Sequence, residues 1–557
     1  MNTQLDHFDP VRGRTEANRY WTITNVSEAT PDILSPLCWS VWGRGMNYSW
    51  VKSMYDFGVL KKKEVVVVVG DPDRCATGSF FGRQAVNVDL VRGVLSRLPG
   101  VNADDVERDL LGSARSDAPV VAGASLRAPI VLCKFPTEMM RLDRAVRRLY
   151  ADQAAWWREH VYSVDSDQEF SAAAALQRLK AATSRFETAM TLHAKVRFLL
   201  PVAERPVHAA AGAAGVPDLA APALQGWGNV AETTMAVKLW EVANGTMTLE
   251  DFLAEYGYHG PNEGNVYTKS WREQPERVAS LVASYRGRSD LESPLNRESG
   301  ATAAREAAER TLLAALPARK RPSVRFMLRR SAGLVRKLET GKASYLMALD
   351  GARCAARELG IALRKRGSIA GVDDVFFLTI SELEEMIENN LPNVSTVVEY
   401  RRSEREKYAT MQVPVTFTGM PEPVAETRWA AEENVLRGLA SGGGRVQGRA
   451  RVVLDASTDI ELEDGDVLVC KFTDPSWTPL MTMADALVID IGSHSSHGAV
   501  VARELAVPYV IGTDVGTRVI REGDLVAVDG AEGTVTILKS GRYIGDSSAP
   551  AEPTVAP

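Results

Sequence analysis

The chain has 557 residues, 45% of them hydrophobic and 24% charged, with a formal net charge of −6, which leaves room for two or three domains with substantial cores. The acidic balance carries no nucleic-acid footprint, and the longest apolar runs, such as Val65–Val69, are far too short to cross a bilayer. Met1–Pro10 is acidic with no apolar signal-peptide core, and the scattered Cys38, Cys75, Cys133, Cys354 and Cys470 read as reduced thiols of a cytoplasmic protein.

From residue 10 to about 430 the periodicity predicts a mainly helical domain with a small β portion near its start. Glu64–Gly70 and Ile130–Lys134 read as buried strands. Leu142–Val161, Asp167–Leu200, Asn229–Ala243, Ala301–Ala315 and Arg325–Arg366 read as helices, with loops at Gly212–Ala221 and Arg286–Gly300. A linker over 431–445 contains Ser441-Gly442-Gly443-Gly444. Four such residues reach only about 10–12 Å, so the joint is a pivot and not a tether.

Beyond it, short apolar runs recur at Ala450–Leu454, Asp466–Cys470, Ala484–Ile491, Pro508–Ile511, Asp524–Val528 and Gly533–Leu538. Turn residues such as Glu463-Asp464-Gly465-Asp466, Glu522-Gly523 and Asp529-Gly530 separate them, so they read as strands. With a turn at Pro479–Ala484 and a helix opening at His497, they predict a compact β/β/α unit over 446–540. Gly541–Pro557, rich in Ser, Ala and Pro, reads as a disordered tail.

The segment Ile491–Pro508 carries the chemistry. A strand stops at Gly492, a polar turn follows, and a short helix begins at His497. A ring nitrogen there lies beside free backbone N–H groups at the positive end of a helix dipole, which favours a phosphoryl group on that nitrogen. Arg503 supplies a cation within the same helix. A histidine at a helix start also serves as a cap or a metal ligand, and His494 competes for the role. A metal would need further ligands; only Asp490 and Asp514 lie nearby, and the chain has no Cys-x-x-Cys or His-Glu-x-x-His pattern. No metal site is expected.

The run Ser496-His497-Gly498-Ala499-Val500-Val501-Ala502-Arg503-Glu504, with Gly492, Pro508 and Gly512, resembles the phosphohistidine signature of the swivelling domain of PEP-utilising enzymes. Pyruvate phosphate dikinase, phosphoenolpyruvate synthase and rifampin phosphotransferase share that domain. Ser493 stands where the family has a second glycine. His497 aligns with the family nucleophile and His494 does not; Ser496, Gly498 and Arg503 then support the phosphohistidine. Thr473-Asp474-Pro475-Ser476-Trp477-Thr478-Pro479 resembles the loop beside it, which puts Thr473 at the phosphoryl group, although a Pro-stiffened turn explains the same residues.

Family-like fragments continue upstream in order. They are Tyr20-Trp21-Thr22 with Asn25–Pro31, Gly82–Asn87 with Leu98-Pro99-Gly100, Phe252–Glu263, and Asp373–Thr379. They are similar to the substrate-binding domain of rifampin phosphotransferase. The usual Gly-His-Arg-Gly is replaced here by Gly257-Tyr258-His259-Gly260. The resemblance implies a multidomain protein: a mainly α-helical substrate-binding domain, then a C-terminal β/β/α swivelling phosphohistidine domain. No P-loop occurs, and about ten residues precede the substrate domain. The expected enzyme is therefore split: a separate ATP-grasp subunit binds ATP and Mg2+ and phosphorylates His497, forming AMP and phosphate.

Split systems of this kind include phenylphosphate synthase and 4-alkylphenyl phosphate synthase, so a phenol is the expected acceptor. Its acidic hydroxyl needs only a modest base. His259, in a glycine-flanked turn, is the candidate base, or a structural turn residue. Trp39 is a candidate pocket aromatic, and Arg83, Arg336 and Lys342 are candidate phosphate contacts. Core packing explains any single Trp, and solvated helix faces explain Arg336 and Lys342. A rifamycin phosphotransferase subunit and a non-catalytic phosphocarrier are the alternatives.

Overall fold

The computed structural model describes residues 8–539 except 25, 28, 69, 112, 120–126, 164–168, 228–230, 287–293, 390–393, 425–433, 441–443, 456–461, 475–476, 493–495 and 506. It likewise excludes the side chains of residues 109, 231, 232, 284, 294, 296–298, 479, 497 and 504. The expected tail beyond residue 540 and the competing His494 lie outside the described residues.

The N-terminal part opens with a small antiparallel sheet. Its strands are β1 (Tyr20–Thr22), β2 (Thr77–Phe80), β3 (Arg83–Asn87) and β4 (Thr416–Thr418), in the order β2-β3-β1-β4. Phe81 (φ 49°) and Gly82 (φ 73°) make the two-residue turn between β2 and β3, the backbone sign that matches strand twist in a tight hairpin. Trp21, Phe80 and Phe417 pack edge to face beneath it. β4 thus ties the end of the helical region to its beginning.

Most of the rest is helical, and its helices include α1 (Pro36–Asp56), α2 (Ala128–Trp157), α3 (Ala172–Ala213), α4 (Ala231–Ala243), α5 (Pro275–Tyr285), α6 (Pro294–Ala315) and α7 (Arg321–Lys365). The 42-residue α3 and 45-residue α7 lie along each other as a spine. Small residues make the approach close: a Cβ on Gly341 of α7 would stand 3.2 Å from His193 of α3. Ala182 and Ala189 of α3 and Ala348, Ala352 and Ala356 of α7 are buried in the same core. α1 lies across α3, and Gly45 makes room for the Phe186 ring.

Three expectations fail in this region, each for a local reason. Ile130–Lys134 is part of α2; a run of five residues carries no period, and Pro129 sits in the first turn of a helix that continues for 30 residues. Ile130 and Leu132 are exposed there, not buried. Glu64–Gly70 holds a 3₁₀ turn at Lys62–Glu64 and then residues 65–68 with no ladder, Val66 being half exposed; Val69 lies outside the described residues. The loops at Gly212–Ala221 and Arg286–Gly300 are partly helical, since α3 runs to Ala213, a turn spans Pro217–Leu219, and α6 starts at Pro294.

The C-terminal unit is one eight-stranded mixed sheet. Its strands are β5 (Val435–Arg437), β6 (Leu439–Ala440), β7 (Arg445–Val453), β8 (Asp466–Cys470), β9 (Ala486–Ile489), β10 (Tyr509–Ile511), β11 (Leu525–Asp529) and β12 (Thr534–Lys539). Their order is β5-β12-β11-β7-β8-β9-β10-β6. β7, β8, β9 and β10 run parallel and form its centre. β8 is buried throughout: Leu468 and Cys470 face one apolar cluster, Val467 and Val469 the other, which explains its unbroken hydrophobic run. Two helices, α8 (Thr478–Met483) and α9 (His497–Glu504), cover the first face. β5 and β6 fall inside the span expected as a linker, because they pair with β12 and β10 as edges of this sheet.

Among the described residues no helix is long and apolar enough to cross a membrane. The C-terminal unit rests on the helical part through α8 and α9, which touch α4, α5 and α6.

Candidate functional site

The site forms where parallel strands end. Thr473 follows β8 and His497 follows β9, its neighbour, so both lie at the carboxyl edge of the sheet, where open α/β sheets place ligands. Ser496 adopts extended backbone angles (φ −72°, ψ 161°), and its Oγ accepts from the Ala499 N–H at 3.2 Å. That caps α9 and makes His497 its first residue. Gly498 is required by packing: a Cβ there would stand 2.6 Å from Ile489 Cδ1 and 2.7 Å from Thr473 Oγ1. Thr473 is thus set against the residue after His497. Gly498 and Thr473 are in contact, and Ser496 caps the same helix.

Arg503, a turn and a half along α9, donates from Nη1 to the Tyr509 hydroxyl at 3.1 Å. It also faces α3: burial pushes the Glu204 carboxyl up, and the Arg503 charge pulls it back down. Arg503 therefore lies at the contact between the two parts of the molecule.

The helical part presents the turn 257–272 to this edge. The Asn262 N–H donates to Asp474 Oδ2 at 3.0 Å, joining that turn to the residue beside Thr473. The turn is rigid for stated reasons. Asn262 sits at φ 50°, a left-handed conformation asparagine tolerates, and Gly264 passes so close to the Ala29 carbonyl that no side chain fits. Trp42 Nε1 donates to the Gly264 carbonyl at 2.6 Å, and Arg353 to the carbonyls of Glu263 and Asn265. Arg353 and Arg272 share the fully buried Asp350, as does Trp157 Nε1. Burial raises that carboxyl, but Arg272 and Arg353 outweigh it and hold Asp350 at about 2.

On this turn, His259 Nδ1 lies 2.7 Å from Glu263 Oε2, four residues on, with both side chains buried. Lys342 of α7 approaches the other carboxylate oxygen at 3.4 Å. Tyr256, Tyr258 and Trp271 surround the imidazole, with centroids 4.3–6.4 Å away. A carboxylate on Nδ1 orients the ring and turns Nε2 away from Glu263. The structure therefore groups His259 and Lys342 with Glu263, which sequence reasoning passed over. Its signal was the His-x-x-x-Glu spacing inside the quoted Phe252–Glu263 fragment. Asp474 was missed in the same way, inside the quoted 473–479 loop.

The other candidates lie elsewhere. Trp39 is a core residue, 6% exposed, its ring covered by Gly43. Arg83 donates to the carbonyls of Phe81 and Met411 at the small sheet, and burial pulls its guanidinium pKa down. Arg336 is exposed and donates to the Trp227 carbonyl at 3.1 Å. Among the described residues no group of three or more His, Cys, Asp or Glu is placed to hold a metal ion.

Residues 462–533, spanning Thr473 through Arg503, match the model of the PEP-utilising enzyme mobile domain. The chain carries this mobile domain. Residues 246–338, which include the His259 turn, match the fourth domain of rifampicin phosphotransferase. Over 297 residues the chain is 31% identical to a rifampicin phosphotransferase of Streptomyces sviceus, covering 52% of this chain and 34% of that protein. Over 180 residues it is 36% identical to the rifampicin phosphotransferase of Bacillus subtilis, covering 32% and 20%. An uncharacterized phosphotransferase of Bacillus subtilis is 27% identical over 308 residues, covering 52% and 36%. The chain thus matches only about a third, or less, of the length of these curated relatives. An NMR structure of Enzyme I is 14% identical over 68% of this chain and 85% of that one, with a TM-score of 0.15, too low to bear on the fold. The mobile domain and the fourth-domain turn are the two pieces that the Asn262–Asp474 bond joins.

Proposed function

We propose that the chain is a phosphotransferase component that carries a phosphoryl group on His497 and passes it to a hydroxyl held near His259. The observation that carries this reading is the contact of the His259 turn with the 473–474 loop, which backs onto Gly498. In the transfer, the N–P bond of phospho-His497 breaks as the acceptor oxygen bonds to phosphorus. The hydroxyl proton moves to His259 Nε2, the leaving imidazole takes a proton from water, and His259 later returns its own. Glu263 holds His259 in the tautomer this requires and offsets the charge of the proton it takes up, and Lys342 pairs with the other oxygen of Glu263.

The proposed donor is ATP with Mg2+ on a separate ATP-grasp subunit, giving AMP and phosphate. The proposed acceptor is a phenol, whose acidic hydroxyl needs only a modest base and whose ring suits the aromatic surroundings of His259. A rifamycin acceptor is the second reading, favoured by the fourth-domain match. The test uses ATP labelled in the β-phosphate, the purified chain, and a candidate ATP-grasp protein, followed by p-cresol or rifampicin. Partner-dependent label on the chain that moves to p-cresol supports the phenol reading, and movement to rifampicin supports the second. Label that moves to neither overturns both and leaves a phosphocarrier. Label without a partner overturns the separate-subunit part.

A further inference from the structure

In an acidic chain, the stretch from Arg310 to Leu338 has no Asp or Glu, yet Arg319, Lys320, Arg321, Arg325, Arg329 and Arg330 fall close together within it. The fold folds this charge around a cleft of about 570 Å³ between α6 and α7, within the size range of small-molecule sites. Arg305 and Arg310 enter from α6, and Arg321, Arg325 and Arg329 from α7, against two carboxylates, Glu306 and Glu309. Leu313, Leu328 and Trp227 supply apolar lining.

The arginines divide by what they already hold. Arg305 lies 4.8 Å over the Trp227 ring and pairs with Glu306 and Glu309. Arg310 faces Glu306 at 3.9 Å. Arg321 donates to the carbonyls of Leu316 and Ala314, capping the end of α6. Arg325 and Arg329 are exposed and pair with no carboxylate among the described residues. At spacings of four residues, Arg321, Arg325 and Arg329 form one ridge of about 12 Å along α7, long enough to follow a chain of three phosphates. Like charges one turn apart weaken a helix, a cost that a bound polyanion removes. Planar guanidinium groups bind phosphate oxygens two at a time.

We propose that this cleft binds the oligophosphate chain of a small ligand, with Arg325 and Arg329 as its principal contacts. None of the residues lining this cleft is among those placed at the transfer site, and the proposal does not depend on that site's chemistry. The test is calorimetric titration of the purified full chain, without a partner subunit, using inorganic tripolyphosphate in one arm and ATP in the other. Tripolyphosphate binding that weakens on the order of tenfold or more in Arg325→Gln/Arg329→Gln, and with added salt, is the expected result. Both positions are exposed and Gln preserves helix, so circular dichroism verifies an intact α7. His497→Ala should bind like the unaltered chain. Tighter binding of ATP than of tripolyphosphate identifies a nucleotide, and equal binding identifies the phosphate chain alone. Binding of neither, or equal binding by the double variant, overturns the site, as does binding of anionic vesicles or duplex DNA without tripolyphosphate binding.

Discussion

The backbone N–H of Asn262 donates to the Asp474 carboxylate at 3.0 Å, across 212 residues of sequence. It links the turn that holds His259 to the loop that backs onto Gly498 of α9. Arg277 with Asp455, Tyr285 with Thr482, and Arg518 with Gln412 lie along the same contact. The C-terminal unit is therefore docked on the helical part, with the 473–474 loop against the His259 turn.

Asp474→Ala removes a charge-assisted hydrogen bond that exists only in the docked state. Such a bond contributes about 1.5 kcal/mol or more, so discharge of phospho-His497 onto an acceptor should slow roughly tenfold. Labelling of His497 should continue at its normal rate. Single-turnover measurement of the two steps separates them; equal slowing of both would mean that Asp474 serves the fold of the loop instead.

His259→Ala should lower transfer on the order of 10²–10⁴-fold, the usual worth of a positioned base, with labelling unchanged. Added imidazole should restore part of the rate by filling the space left among Tyr256, Tyr258 and Trp271. Glu263→Gln should lower transfer less and resist imidazole rescue, because His259 is still present. Transfer at the normal rate in His259→Ala would remove it from the reaction.

Gly498→Ala puts a Cβ within 2.6 Å of Ile489 Cδ1 and 2.7 Å of Thr473 Oγ1. Overpacking of this kind costs about 1–3 kcal/mol, read as a lower melting temperature of the mobile domain. Ile489→Val deletes the first of these atoms, so adding it to Gly498→Ala should recover part of the loss.

His193 is held neutral between α3 and α7. Burial lowers its pKa from 6.5 to about 4, with Arg197 and Lys342 adding to the effect. The unfolded chain takes up this proton near pH 6.5 and the folded chain only near 4. Stability is thus fully present above 6.5 and falls as pH drops toward 4, by on the order of 3 kcal/mol. Urea unfolding across that window should show the slope, and His193→Gln should flatten it.

The mobile domain was legible because its signals are local. The Ser496 cap, the small Gly498, and the continuous apolar run of β8 each follow from neighbours in sequence, and Asp466–Cys470 is a strand over those same residues. The helical part was legible where periodicity ran long, as in α7, and misread where it ran short, as at Ile130–Lys134. The acceptor side depends on pairings that sequence does not display. His259 was singled out, but Glu263 became meaningful only once the turn closed, and Asp474 only once two domains met. Trp39 and Arg336 carried suitable chemistry, yet the core claimed one ring and the Trp227 carbonyl the other guanidinium.

The most direct measurement is a chemical charge and discharge of the full chain. Phosphoramidate transfers its phosphoryl group to imidazole and releases ammonia, so it needs no partner subunit. Mass spectrometry after an alkaline quench maps the label before and after a p-cresol or rifampicin chase. The account predicts acid-labile phosphate on His497, absent in His497→Ala, that appears on the acceptor and does so far more slowly in His259→Ala. Label concentrated on another residue such as His494, or transfer that persists in His497→Ala, would contradict it.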